Sequence, residues 1–194
     1  MRPKCPVLSS GARADLAASL PSANSVVDVM ILYTPEATNQ YGGDAGLRSM
    51  AALDVGYASS ILSASGAAVE IRLIYTGLTP NHTQLSTSDL ELRWISTNTA
   101  VANLRTQYGA DLVSEITYNL GGVAYYLNPY SVVTSDSVTF THEIGHNFGC
   151  RHDFTNAQYC ASCPSYAYGY PFTPPGGLTY GTIMSYVGLT IPYF

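Results

Sequence analysis

A chain of 194 residues is long enough for one full domain with a hydrophobic core and too short for two large ones. Hydrophobic residues make up 46% and charged residues only 11%, against an ordinary charged share of about 25%, which excludes a disordered polyelectrolyte. The net charge of −5, without any basic run, leaves no general case for nucleic-acid binding, and no apolar stretch reaches the roughly 20 residues that span a bilayer.

Residues 1–25 are rich in Pro, Ser, Ala and Gly without sustained periodicity, and read as a leader, a linker or a propeptide remnant. Arg13 and Asp15 interrupt what would be the apolar region of a signal peptide. The main domain is expected over residues 26–194. Val26 to Thr34 is apolar and β-branched, which predicts a buried strand ending at Pro35. From Asp44 to Ser63, Leu47, Met50, Ala51, Val55, Ala58, Ile61 and Leu62 recur at helical spacing, and Gly66 is a stop signal. Ala68 to Leu78 alternates as a strand. One helix is expected from a cap at Ser88 to Tyr108, with Gly109 ending it. Asp111 to Tyr118, Gly122 to Leu127 and Ser131 to Thr134 are short strand candidates, followed by a helix from Ser137 to Phe148. This order predicts an α/β fold of the α+β type, a twisted mixed sheet with helices packed against it. Beyond Asp153 the Tyr-, Pro- and Gly-rich sequence predicts irregular structure.

The four cysteines are Cys5, Cys150, Cys160 and Cys163. A second C-x-x-C pair is missing, so a zinc knuckle is not expected, and the simplest reading is a disulfide from Cys150 to Cys160 or Cys163. Composition and cysteines together favour a secreted protein.

The chemistry concentrates in residues 142–153, His-Glu-Ile-Gly-His-Asn-Phe-Gly-Cys-Arg-His-Asp. Positions four apart share a helix face, so His142 and His146 can aim a ring nitrogen at one metal ion, with the Glu143 carboxylate beside them. Gly149 can take the left-handed backbone that ends a helix and turn the chain so that His152 returns as a third ligand. Three neutral imidazoles leave a zinc ion its full charge and one open position. The fourth histidine, His82, lies in the turn-like stretch Pro80-Asn81-His82-Thr83 and is expected to be solvated.

This pattern resembles the metzincin clan of zinc peptidases. Thr182-Ile183-Met184-Ser185-Tyr186 resembles its Met-turn, and Asp153 directly after the third histidine is similar to the adamalysin (reprolysin) branch. Leu32-Tyr33-Thr34-Pro35, Tyr166 to Tyr170 and Ile191-Pro192-Tyr193-Phe194 most resemble the bacterial peptidyl-Asp metalloendopeptidases. The resemblance covers residues 26–194. It implies a metzincin-like catalytic domain with one catalytic zinc ion, an irregular C-terminal subdomain, and a polypeptide substrate cut internally with Glu143 as general base. Met184 becomes a hydrophobic base beneath the metal, and Asp153 a buttress of the third-histidine turn. Gly121, Gly122, Val123 and Ala124 become part of an edge strand that pairs with substrate. Tyr186 stands at the spacing from which astacins and serralysins reach the transition-state oxyanion. A monomer without nucleic-acid or membrane partners is expected. Two other readings stay open, a zinc amidohydrolase acting on a non-peptide amide and an inactive peptide-binding module.

Three finer expectations concern the two ends of the chain and the cleft. The chain stops ten residues after Met184, where the resemblance implies a further helix, which leaves a C-terminal truncation open. Arg2-Pro3-Lys4-Cys5-Pro6-Val7 loosely resembles a cysteine-switch segment, which would make Cys5 a latency element on the metal. A preference for acidic residues after the scissile bond needs a cation, and no Lys, Arg or His occurs from Phe154 to Phe194. Arg151 is the nearest candidate, although it reads more readily as pointing into solvent. Without it, the tyrosines at 166, 168, 170, 180, 186 and 193 would make an apolar pocket.

Overall fold

Strand β1, Ser25–Tyr33, runs through the middle of the molecule, and its alternating side chains feed two separate cores. The computed structural model describes residues 25–157, 160 and 162–194; the switch reading of Cys5 lies outside the described residues. Pro35, which ends β1, is also the first residue of a short helix α1, Pro35–Gln40. Thr34 caps it by accepting from the Ala37 N–H at 3.1 Å. Helix α2, Gly43–Ala64, follows, and then strand β2, Val69–Leu78.

The single helix expected from Ser88 to Tyr108 is two, α3 (Ser88–Thr97) and α4 (Thr99–Tyr108). The cap of α3 is Thr87 rather than Ser88. Asn98 adopts an extended backbone (ψ 125°), and its side chain accepts from the N–H groups of Ala100 and Val101 at 2.9 and 3.2 Å. An Asn oxygen competing for backbone donors ends one helix and starts the next. The remaining strands are β3 (Leu112–Ile116), β4 (Val123–Ala124) and β5 (Tyr130–Val133), all inside the expected ranges apart from Tyr130. Helix α5, Ser137–Asn147, comes next, with Asp136 accepting from the Thr139 N–H at its start.

The sheet order is β2-β1-β3-β5-β4, parallel except for β4, which runs antiparallel to β5 at the edge. A parallel sheet must be covered on both faces. On one face Val29, Ile31 and Tyr33 meet Leu47, Ala51, Val55 and Ala58 of α2 and Phe140 and Ile144 of α5. On the other, Met30 and Leu32 meet Leu92 and Ile95 of α3 and Val101 of α4. Below α5 the chain is largely irregular, as expected, with one small sheet of two-residue strands: β6 (Pro171–Phe172), β7 (Tyr180–Gly181) and β8 (Leu189–Thr190).

Two sequence readings change. The disulfide joins Cys160 to Cys163, and Cys150 is a free thiol. Cys150 packs instead beside Ile183, Met184 and Phe194 beneath the helix, where burial pushes its thiol pKa up. His82 is not solvated. Its side chain is only 3% exposed, stacks on Trp94 with ring centroids 3.7 Å apart, and meets Glu91 at 2.6 Å.

Candidate active site

Helix α5 presents His142, Glu143 and His146 from its buried side toward the space above the lower segment. Gly149 follows at φ 93°, and the Cys150 N–H reaches back to the Gly145 carbonyl at 2.8 Å, closing the helix. A side chain at Gly149 would be strained by that φ, and its Cβ would lie 2.7 Å from Leu127 Cδ2. Beyond the turn, Arg151 is pinned by main-chain bonds to Ala167 and Gly169, which sets His152 facing the helix.

The three imidazoles converge. Nε2 of His152 lies 3.0 Å from Nε2 of His146 and 3.1 Å from Nε2 of His142. Nδ1 of His142 donates to the Ile183 carbonyl at 2.8 Å, and Nδ1 of His146 donates to the Cys150 carbonyl at 2.9 Å. A carbonyl can only accept, so both rings carry their proton on Nδ1 and turn a bare Nε2 lone pair to the meeting point. His152 Nε2 meets both lone pairs, and one proton on it could satisfy only one of them at a time, whereas a cation at the meeting point satisfies all three rings. Burial also pushes the pKa of all three histidines down, favouring the neutral, metal-binding form. The donor set therefore fits a zinc ion, for which three neutral histidines and one open position are a catalytic ligand set.

Glu143 is 5% exposed, and burial pushes its carboxyl pKa up to about 8. Its Oε2 has no hydrogen-bond partner among the described residues. Gly122 lies against it: a Cβ there would stand 2.5 Å from both Glu143 Oε1 and Thr139 Cγ2, so a larger residue would have to displace those side chains.

Beneath the histidines Met184 is buried with Ile183, Ile61 and Phe194, in a turn closed by the Ser185 N–H to Thr182 carbonyl bond. A side chain at Gly145 would collide with the Met184 sulfur, so helix and turn fit through the missing Cβ. Asp153 is fully buried and joins two segments. One oxygen accepts from the Thr155 N–H, and the Asn156 amide donates to both oxygens. The other oxygen also accepts from the Tyr186 N–H at 2.9 Å and from Ser185 Oγ at 3.3 Å. Burial alone would raise its pKa, but these donors together hold it below the usual range.

A cleft of about 450 Å³ opens in front of Glu143, His146 and His152, walled above by Gly122, Val123 and Ala124. A second hollow of about 250 Å³ lies on the other side of Gly122 and Glu143. Arg151 does not simply point into solvent. It lines the larger cleft, its guanidinium 4.4 Å from the centre of the Tyr126 ring. The expected tyrosine pocket does not form there. Of its six candidates only Tyr186 lines the cleft, while Tyr166 is 87% exposed. The Tyr186 ring stands 4.1 Å from that of His152, and burial followed by the nearby Glu143 charge raises its phenol pKa.

Sequence reading missed Asn147, whose amide reaches the carbonyls of Tyr125, Asn128 and Tyr130 at 3.2, 2.7 and 3.1 Å and ties the chain after β4 to α5. Its one signal was its position directly after His146.

A metallopeptidase is the class that this fold and cleft define, and the chain belongs to metallo-peptidase family M12: the Reprolysin_5 family model matches residues 23–190. Among curated proteins it is 28% identical over 177 residues to the Peptidyl-Asp metalloendopeptidase of Pseudomonas aeruginosa, a match covering 72% of this chain. The match covers only 27% of that relative's length. Among solved structures, a chain described as "Structure of a chaperone-substrate complex" shares the fold at a TM-score of 0.71 and 19% identity. That likeness covers 88% of this chain and 29% of the other. No described helix is long and apolar enough to cross a membrane.

Proposed function

We propose that the protein is a secreted, monomeric zinc endopeptidase that cuts extended polypeptides beside acidic residues. The observation that carries the reading is the convergence of three Nε2 atoms, two of them held as bare lone pairs, beside a buried carboxylate in an open cleft. His142, His146 and His152 would hold the ion. Bound there, zinc supplies a Lewis acid for the peptide carbonyl and makes water acidic enough to attack near neutral pH. Glu143 takes the proton of the attacking water at its unpartnered oxygen and returns it to the leaving nitrogen. Ile183 and Cys150 fix the orientation of two ligand rings through their carbonyls, and Asp153 locks the third-histidine turn to the segment at Ser185 and Tyr186. The turn carrying Met184 serves as the Met-turn, and Tyr186 as the donor to the oxyanion.

An extended substrate would add to the open edge of β4, pairing with Gly121 to Ala124. Arg151, on the cleft wall, meets an acidic side chain, in keeping with the name of the Pseudomonas relative. The Cys160–Cys163 disulfide suits an oxidising compartment. Metal analysis should find about one zinc per chain. Cleavage of a peptide library should vanish with a chelator and return with zinc. A metal-free protein, or a zinc-loaded one that leaves the library intact, overturns the proposal.

A further inference from the structure

The geometry assigns Gln84, in the loop between β2 and α3, as the positioning residue of the substrate-binding edge. Its side-chain amide lies alongside the peptide of Tyr118 and pairs with it twice. Oε1 accepts from the Tyr118 N–H at 2.7 Å, and Nε2 donates to the Tyr118 carbonyl at 2.8 Å. Oε1 also accepts from Thr34 Oγ1 at 2.9 Å. This is the hydrogen-bond pattern of a strand pair, made by one side chain.

The hold on Tyr118 matters because the chain runs from there straight into the cleft wall. The segment from Tyr118 to Gly122 includes two left-handed residues, Asn119 (φ 57°) and Gly121 (φ 78°), and leads into the β4–β5 ladder of only two residue pairs. Thr117 bonds Val133 on one side, and beyond β4 the Asn147 amide holds Tyr125, Asn128 and Tyr130. Two amide side chains thus clasp the two ends of the cleft wall. Gln84 holds the end that leads directly to Gly122, the residue lying against Glu143.

The loop that carries Gln84 is itself mounted firmly. The Gln84 N–H donates to Glu36 Oε2 at 3.1 Å, and the Leu85 N–H donates to Glu91 Oε1. The other Glu91 oxygen meets His82 Nε2 at 2.6 Å, and Thr79 Oγ1 donates to the buried Glu115 at 2.6 Å. His82, Glu91 and Glu115 could be read as a second metal cluster. Both Glu91 oxygens and one Glu115 oxygen are already engaged, by His82, the Leu85 N–H and Thr79 Oγ1. Through these bonds the cluster anchors the loop that delivers Gln84.

This inference rests on the reading of β4 as the strand that pairs with substrate. Gln84→Met keeps length and volume but removes both bonds to Tyr118. It should raise KM roughly tenfold for peptides extended on both sides of the scissile bond, with kcat within about twofold and zinc content unchanged. Amide hydrogen exchange at Gly122 to Ala124 should accelerate in the same variant, with or without turnover. A KM that stays put, or a lowered Tm with slow exchange retained at those amides, overturns the assignment. If the wild-type protein cleaves no peptide, the peptidase reading fails, and the exchange measurement alone still decides the clasp.

Discussion

At the scale of single residues the proposed function divides the cleft into groups that hold, groups that react and groups that choose. Glu143 belongs to the second kind. Glu143→Ala removes the base and leaves every histidine in place, so zinc should remain while kcat falls by roughly 10²–10⁴-fold; turnover near the wild-type rate would remove Glu143 from the mechanism. Arg151 belongs to the third. Arg151→Ala should abolish a preference for Asp over Leu after the scissile bond and leave cleavage of neutral peptides nearly intact. Profiling both proteins on matched Asp, Leu and Phe peptides tests this, and an Asp preference that survives the change excludes Arg151. The meeting of the histidines was legible in the sequence because helix spacing and one glycine are local properties. The direction of Arg151 was not. It depends on the ring of Tyr126, twenty-five residues earlier, arriving 4.4 Å from the guanidinium centre. His82 misled for the same reason, since Trp94 and Glu91, which bury it, come from another element.

At the scale of elements, β1, α2 and α5 could be read because each repeats its pattern long enough to show a period. Helix α1 has six residues and β4 two, too few to display any, and their existence is decided by a cap and by a neighbouring strand. The division between α3 and α4 was visible only as one Asn amid helical spacing. Its cap makes a sharp prediction. Asn98→Ala should cost about 1 kcal/mol, since two N–H groups of α4 lose their acceptor. Chemical denaturation reads this as a lowered midpoint with an unchanged slope. An unaltered midpoint would mean that water replaces the side chain at no cost.

At the scale of the whole molecule, a three-layer upper part carries nearly all of the apolar interior. Asp54 lies inside it, on α2, where burial raises its carboxyl pKa from 3.8 to about 6; Ser137 Oγ at the start of α5 donates to it at 2.6 Å. A folded pKa above the unfolded one means that this stability is complete below about pH 4 and lost as pH rises through 6. Asp54→Asn keeps an acceptor for Ser137 but cannot ionise. It should therefore match wild type near pH 3.5 and exceed it at pH 7 by on the order of 2–3 kcal/mol, as read by denaturant unfolding. Asp28, Asp44 and Asp153, whose pKa values are lowered, act in the opposite sense at acid pH, and they cancel in the comparison. Parallel curves at all pH values would show that folding leaves the Asp54 pKa unchanged, and would overturn the prediction. The lower part is built differently. Among the described residues beyond Asn147, the only buried hydrophobic ones are Ile183 and Met184, and the strands are two residues long. Such a segment opens locally long before the sheet unfolds. In a solution of peptidases, an opened segment is a substrate. Yet no Asp or Glu occurs from Phe154 to Phe194, so under the proposed acidic preference the part of the chain poorest in core offers no preferred bond, and a concentrated stock is spared from cutting itself there.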